Sequence, residues 1–320
     1  MLQGKKIGVV IPAHDEEKLI GRVIETMPSF VDRIIIVDDL SSDKTVAIVE
    51  GYVMKAPEEN VLIQHKKNMG VGGAVATGYK RALSEKIDVV VVMNGDAQMD
   101  PADLKRIVSP IIRGESDYVK GNRLFRGESW EMIPHYRYLG NSVLSLLTKV
   151  ASGYWHIADS QSGYTAISLI ALRALNLDAI YLQYGMPNDI LIKLNICNFR
   201  VKDVSVRPIY NIGEKSGIRI WKVIPSISWL LLKGFIKRML QKYVIQDFHP
   251  LVFFYFLGLS LTPTGFFFGA YLICLRLSGI LVMPTEALFA SFLFISGLQS
   301  LFFAMWFDME YNKHLRGPGR

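Results

Sequence analysis

Asn94, Gly95, Asp96, Ala97 and Gln98 follow directly on an apolar, β-branched run, and Asp96 and Gln98 offer hard oxygen donors one residue apart on an extended chain. Such a set suits Mg²⁺ or Mn²⁺, which bind mainly through carboxylates, water and substrate phosphates. A divalent ion there would neutralise a departing diphosphate. An Asp-x-Gln turn is also ordinary loop chemistry, so the reading leans on two further acidic clusters. His14, Asp15 and Glu16 end one apolar run, and Asp38 with Asp39 ends another.

The elements that must position these residues alternate along the first half of the chain. KIGVVIPA (6–13), RIIIVDD (33–39), VLIQH (61–65) and IDVVVVMNGD (87–96) are continuous apolar runs of strand type. Helical spacing separates them, as in Leu19, Val23, Ile24 and Met27. Buried strands joined by helices predict an α/β fold with a mostly parallel sheet flanked by helices on both faces. Ligands of such sheets lie beyond the carboxyl ends of the strands, where all three acidic clusters fall. The fourth strand is expected to run to Asn94 and stop because it has reached the site.

The chain has 320 residues, half of them hydrophobic, and the apolar excess is concentrated near the carboxyl end. Residues 250–275 and 287–307 contain no charge, and each is long enough to cross ~30 Å of hydrocarbon as a helix. Neither shows the polar face of a core helix, so two transmembrane helices are expected, with Pro263 and Gly265 as a kink in the first. Residues 218–320 hold ten Lys and Arg against four Asp and Glu, nearly all of the net charge of +7. Arg219, Lys222, Lys233, Lys237, Arg238 and Lys242 alternate with Trp221, Trp229 and Phe235, the pattern of a helix on an anionic membrane surface. That position, just before a span, argues against nucleic acid as the partner. No signal peptide is read ahead of the first strand. The first ~200 residues and both termini are therefore expected in the cytoplasm, which also satisfies the positive-inside rule. Cys197 and Cys274 read as packing residues.

VVIPAHDEE, IIIVDDLSSDKT, KKNMGVGGAVATGYKRAL, MNGDAQMDP, GNR and DSQSGYTAIS, in that order over about residues 5–240, resemble family 2 glycosyltransferases of the polyprenyl-phosphate type, the dolichol-phosphate mannosyltransferase and bactoprenol glucosyltransferase group. The resemblance implies a GT-A type, Rossmann-like cytoplasmic domain over 1–215, an amphipathic interface stretch over 216–248, and a two-helix transmembrane region with a basic tail over 249–320. It implies an inverting enzyme that moves a hexose from UDP-glucose, UDP-N-acetylglucosamine or GDP-mannose to a polyprenyl or dolichyl phosphate.

Residue by residue, it implies that Pro12, Ala13, His14 and Glu16 hold the base and ribose, as do Asp38 and Asp39. Lys67 and Gly70 would pass near the nucleotide. GVGG lacks the full glycine pattern of a dinucleotide fold and is a weak signal for one. The family's metal motif reads Asp-Ala-Asp-Leu-Gln, so Asn94 and Gly95 replace its first two residues. Asp96 becomes the main anionic ligand, with Gln98 beside it, and Asn94 binds the sugar or ribose or ligates weakly. Arg123 of GNR and Arg137 would clamp the lipid phosphate, with Asn141 one turn further on and Lys215 adding charge. Asp189 would orient a sugar hydroxyl or act as a base, and equally reads as a helix cap before ILIKL.

Two other classes share parts of this pattern. A processive polysaccharide synthase would carry a Gln-x-x-Arg-Trp motif, absent here, and more spans. A non-catalytic nucleotide-sugar sensor would explain Asn94. Gly and Ser in the spans would permit a homo-oligomer.

Overall fold

The computed structural model describes residues 1–124, 135–207, 209 and 220–317; the side chains of 135–139, 141 and 220–223 lie outside the description. The chain divides into two compact units, Met1–Phe235 with His314–Arg320, and Ile236–Lys313.

In the first unit, β1 (Ile7–Ala13), α1 (Ile20–Glu25), β2 (Arg33–Asp38), α2 (Thr45–Lys55), β3 (Asn60–Gln64), α3 (Val71–Ser84) and β4 (Val89–Val92) alternate as the apolar runs predict. They are followed by α4 (Leu104–Ile112), β5 (Tyr118–Asn122), α5 (His135–Ser152), β6 (Thr165–Ser168), α6 (Leu169–Ala174), α7 (Met186–Ile196), β7 (Val201–Ser205) and α8 (Ile220–Leu240), whose last residues, from Ile236, belong to the second unit. The seven strands form one sheet in the order β3-β2-β1-β4-β6-β5-β7. β1 pairs in parallel with β2 and β4, and β2 with β3, whereas β6 runs antiparallel to both β4 and β5. The sheet is thus mixed but mostly parallel.

Both faces are covered, as continuous apolar strands require. Ile7, Val9, Ile11, Ile34, Ile36, Val89 and Val91 belong to one core; Val10, Ile35, Val37, Val90 and Val92 belong to the other. Each fully buried Val or Ile contributes roughly 1.5–3 kcal/mol relative to exposure, so a strand with two buried faces is held in register twice over. Gly78 lets α3 settle onto β1, since a Cβ there would meet Val10 Cγ1 at 2.2 Å.

β4 ends at Val92, earlier than the sequence pattern predicts. Its pairing with β1 finishes at Val10↔Val92 and with β6 at Val92↔Thr165. Beyond that the chain stays beside β1, with Met93 N–H bonding Val10 O at 3.0 Å and Gly95 N–H bonding Pro12 O at 3.2 Å, but Pro12 has no N–H to give in return and regular pairing stops. The strand order reverses on either side of β1 and β4, so the crevice that such sheets use for ligands opens between their carboxyl ends.

In the second unit, a π-helical segment, Gln241–Gln246, leads into α9 (Leu251–Leu277) and α10 (Pro284–Tyr311). Both are long and apolar enough to cross a membrane. Phe256, Phe267, Phe292 and Phe302 are 62–68% exposed on them, which no core helix of a water-soluble domain would tolerate. Glycines bring the pair together: a Cβ on Gly265 would meet Phe294 N at 2.4 Å, and one on Gly297 would meet Thr262 N at 2.4 Å. Small residues at such contacts let membrane helices gain dispersion energy where no hydrophobic effect drives them together.

Two of the six cations expected on a membrane surface are instead buried. Arg238 and Lys242 are 0% and 1% exposed. Arg238 forms a bidentate pair with Asp308 at 2.7 and 3.0 Å, Lys242 Nζ donates to Asn312 Oδ1 at 2.8 Å, and the Tyr243 hydroxyl donates to Asp308. Asp308 and Asn312 lie just past the charge-free run, so the pattern of that run alone gave no sign of this pairing. Lys233 and Lys237 are exposed, as expected.

Candidate functional site

The ends of β1, β2 and β4 converge through main-chain bonds that the apolar registers dictate. Asp39 N–H bonds Ala13 O at 2.8 Å, and Gly95 N–H bonds Pro12 O at 3.2 Å. Pro12, Ala13 and Gly95 are therefore buried floor, while His14 stands exposed. A Cβ on Gly95 would lie 3.4 Å from Glu16 Cγ, so this turn sits directly against Glu16.

Asp15, at φ +55°, accepts from Ser42 N–H at 2.7 Å and is a hinge pin between the β1 and β2 loops. Glu16 N–H bonds Thr45 Oγ1 at 2.8 Å, which fixes its main chain against the start of α2. Burial, then the charges of Asp96, Asp43 and Asp15, push the Glu16 carboxyl up to about 7. A carboxyl raised by its acidic neighbours in this way marks a place of negative potential in which a cation is favoured.

Asp96 is half-buried and its Oδ1 accepts from Gln98 N–H at 3.1 Å, closing the turn in which Ala97 has φ +55°. Gln98 is pinned in turn by Ile209, whose N–H bonds the Gln98 carbonyl at 3.0 Å. Asn94 faces Gly163, where a Cβ would come 3.7 Å from Asn94 Oδ1. Among the described residues no cluster of three or more His, Cys, Asp or Glu is arranged to hold a metal. One carboxylate, flanking amide oxygens and a strongly negative surrounding nevertheless fit a hard divalent ion that takes the rest of its shell from water and phosphate.

The acidic pair after β2 is divided in its duties. Asp38, 3% exposed, accepts from Ser41 N–H at 3.2 Å through Oδ2 and keeps Oδ1 buried without a partner. An orphaned buried carboxylate oxygen is costly, and it is a place where a hydrogen-bond donor is favoured. Asp39 is engaged within the protein, accepting from Met69 N–H at 2.8 Å and Gly70 N–H at 2.7 Å. Gly70 has φ +77°, a conformation natural to glycine, and a Cβ there would meet Leu182 O at 2.6 Å. Lys67 is exposed on the same loop.

Further along the same sheet edge, two strands beyond β4, Arg123 leaves the carboxyl end of β5 and binds Asp159, with Nε–Oδ2 at 2.8 Å and Nη2–Oδ1 at 3.2 Å. Asp159 is wholly buried; burial raises its carboxyl, but Arg123 and Lys120 outweigh this and hold it below the usual range. Lys120 is also buried, donates to Ser162 O at 2.7 Å, and is pulled down by burial to about 8 although Asp159 and Asp203 oppose this. Asp159, Lys120 and Asp203 were not singled out by residue type; only the segment DSQSGYTAIS pointed to the first of them.

Asp189 lies in the first turn of α7, pairs with Lys193 and accepts from Tyr181 N–H at 2.9 Å, so it staples the loop before the helix rather than capping it. Arg137 and Asn141 fall on α5, with side chains outside the description, and Lys215 lies outside the described residues. On α5 beyond them, Ser145 and Thr148 are buried while Val143, Leu146 and Leu147 are exposed, an apolar stripe at helical spacing.

The family model for glycosyl transferase family 2 matches residues 8–175. The UDP-N-acetylglucosamine–dolichyl-phosphate N-acetylglucosaminyltransferase of Methanococcus voltae is 33% identical over 218 residues, covering 64% of this chain and 86% of that one. The dolichol-phosphate mannosyltransferase of Pyrococcus furiosus is 30% identical over 193 residues, 59% of this chain and 53% of that one. Glucosyl-3-phosphoglycerate synthase from Mycobacterium tuberculosis, solved with Mn²⁺, UDP and glucosyl-3-phosphoglycerate, aligns with a TM-score of 0.53 at 20% identity over 73% of this chain and 80% of that one, a likeness of fold. With the crevice at β1 and β4, its acidic turn and a family match over more than half its length, this chain belongs to glycosyl transferase family 2.

Proposed function

We propose that this chain is a membrane-bound inverting glycosyltransferase that moves a hexose from a nucleotide sugar to a polyprenyl phosphate. The observation that carries the reading is the convergence of Glu16 and Asp96 in one negative crevice, with Glu16 pushed up to about 7, beside the orphaned oxygen of Asp38. The named activities of the Methanococcus and Pyrococcus relatives supply the acceptor class.

Asp96, with Asn94 and Gln98, would hold Mg²⁺ or Mn²⁺. That ion supplies electrostatic neutralisation of the departing diphosphate. Asp38 Oδ1 accepts the imide-type N–H of the base. Arg123, fixed edge-on by Asp159, and Arg137 on α5, with Asn141 and Lys215, receive the lipid phosphate. At neutral pH a phosphate monoester with a second pKa near ~6 is largely dianionic, so the acceptor needs no strong base. Its oxygen forms a bond to the anomeric carbon as the bond from that carbon to the diphosphate oxygen breaks, which inverts the centre. Orientation alone supplies several kcal/mol of the barrier, and the clamp and the sugar site exist to hold that line.

The exposed apolar faces of α5 (Val143, Leu146, Leu147) and α8 (Ile224, Trp229, Leu232) would rest in the bilayer surface with Lys233 and Lys237 among the headgroups. The two apolar helices of the second unit span it, with the catalytic unit in the cytoplasm.

The test uses the full-length protein in nanodiscs with polyprenyl phosphate, Mn²⁺ and, in turn, radiolabelled UDP-N-acetylglucosamine, UDP-glucose and GDP-mannose. Labelled lipid from one of the three supports the proposal; labelled polymer, or no product with every donor, overturns it. Arg137→Ala is expected to raise the KM for lipid phosphate about tenfold or more, as the loss of a charge-assisted bond would. The same variant acting only on the nucleotide-sugar KM would refute the acceptor assignment.

A further inference from the structure

Asp39 does not stand alone on the loop it organises. Its Oδ1 also meets His65 Nδ1 at 2.8 Å, and its main-chain carbonyl accepts from Asn68 Nδ2 at 3.3 Å. His65, whose side chain is 8% exposed, reaches across to α3, where Nε2 lies 2.9 Å from Thr77 Oγ1. Its own N–H bonds the Asp38 carbonyl at 2.9 Å. One imidazole therefore ties the end of β2, the loop 66–70 and the body of α3 together.

The carboxylate partner fixes one end of the ring. A carboxylate can only accept, so Nδ1 carries a proton and donates to Asp39, while Nε2 and the Thr77 hydroxyl share the second hydrogen bond. The loop has no slack on its other side, because Gly72 N–H bonds Leu182 O at 2.8 Å and a Cβ on Gly70 would strike that same carbonyl. Asp39 must hold one rotamer for Met69 and Gly70 N–H to stay bound, and His65 is the side chain that fixes it.

We propose that His65 is a positioning residue for the nucleotide sugar. Held through Nδ1–H to Asp39 and through Nε2 to Thr77, it locks the loop carrying Lys67 and Gly70 in the conformation that meets the nucleotide beside Asp38. This rests on the reading above that the loop passes the nucleotide. His65 touches no reacting atom, so its removal acts on donor binding and leaves the chemical step and the lipid phosphate alone.

The experiment compares His65→Ala, His65→Asn, His65→Gln and Thr77→Val in the full-length protein, using calorimetric binding of UDP and of GDP with Mn²⁺, and steady-state kinetics with the active donor. His65→Ala should raise the diphosphate Kd and the nucleotide-sugar KM about tenfold, with kcat and the lipid-phosphate KM changed by less than about threefold. Asparagine, whose amide nitrogen falls near Nδ1, should restore binding to within about threefold, whereas glutamine, which reaches toward Nε2, should not. Thr77→Val should lie between wild type and His65→Ala. Wild-type binding by His65→Ala overturns the proposal, as does asparagine as weak as alanine, or a parallel fall in kcat and a rise in both KM values. If the wild-type protein binds neither diphosphate, the proposed function itself fails, and this inference fails with it.

Discussion

Asp96→Ala is expected to cut sugar transfer by about a thousandfold or more while the protein still inserts into membranes. Asp96 is the one carboxylate in the turn that ends β4, since its neighbours there are Asn94, Gly95, Ala97 and Gln98. Removing an electrostatic group that acts on developing charge in a water-poor site typically costs 10²–10³-fold, and here no second carboxylate of the turn remains to replace it. Glu16 would not compensate, because without Asp96 its own ionisation becomes easier but it puts no oxygen where Asp96 had one. Radiolabelled transfer and carbonate-resistant membrane association, measured on the same preparation, check both halves of the expectation. Activity within about threefold of wild type would remove Asp96 from the mechanism. Chelation of divalent ions should abolish wild-type turnover, with recovery on adding Mn²⁺; full turnover in chelator would count equally against it.

Asp308→Ala should destabilise the second unit by about 3–5 kcal/mol, the largest stability effect expected of a single substitution in this chain. Arg238 and Asp308 are both 0% exposed and share two hydrogen bonds, so truncating one leaves an ion buried with no counter-charge. Tyr243 and Asn312 also donate to the Asp308 carboxylate and would lose that acceptor. An apolar pair of similar volume, Arg238→Met with Asp308→Leu, should recover most of the loss, because desolvating two ions offsets much of their attraction. Unfolding of the detergent-solubilised protein, followed by near-ultraviolet circular dichroism, distinguishes the three variants. The idea fails if Asp308→Ala unfolds like wild type, or if the double variant is no better than the single one.

Much of the fold was legible along the chain because its signals are local. Short, continuous β-branched runs such as Val89–Val92 favour strands buried on two faces, and each such run stops at polar residues that then lie at one edge of the sheet. Charge-free runs of bilayer length are equally local. Residue type also sufficed to locate Asp96, Asp38 and Glu16 at that edge. The antiparallel β6 was not legible, since four residues, Thr165–Ser168, carry no mark of direction or neighbour.

What the tertiary structure decided was which polar groups are spent on one another. Asp38 and Asp39 are adjacent and chemically identical, yet one has a buried oxygen that makes no hydrogen bond and the other is consumed by His65, Met69 and Gly70. Arg238 and Lys242 carry the same charge as Lys233 and Lys237 but are turned into the protein by Asp308 and Asn312, which lie 70 positions away. Hydrophobic periodicity fixes where an element goes. The pairing of a buried charge depends on which side chains a distant segment brings to it, and desolvation makes that pairing compulsory only once the chain has folded.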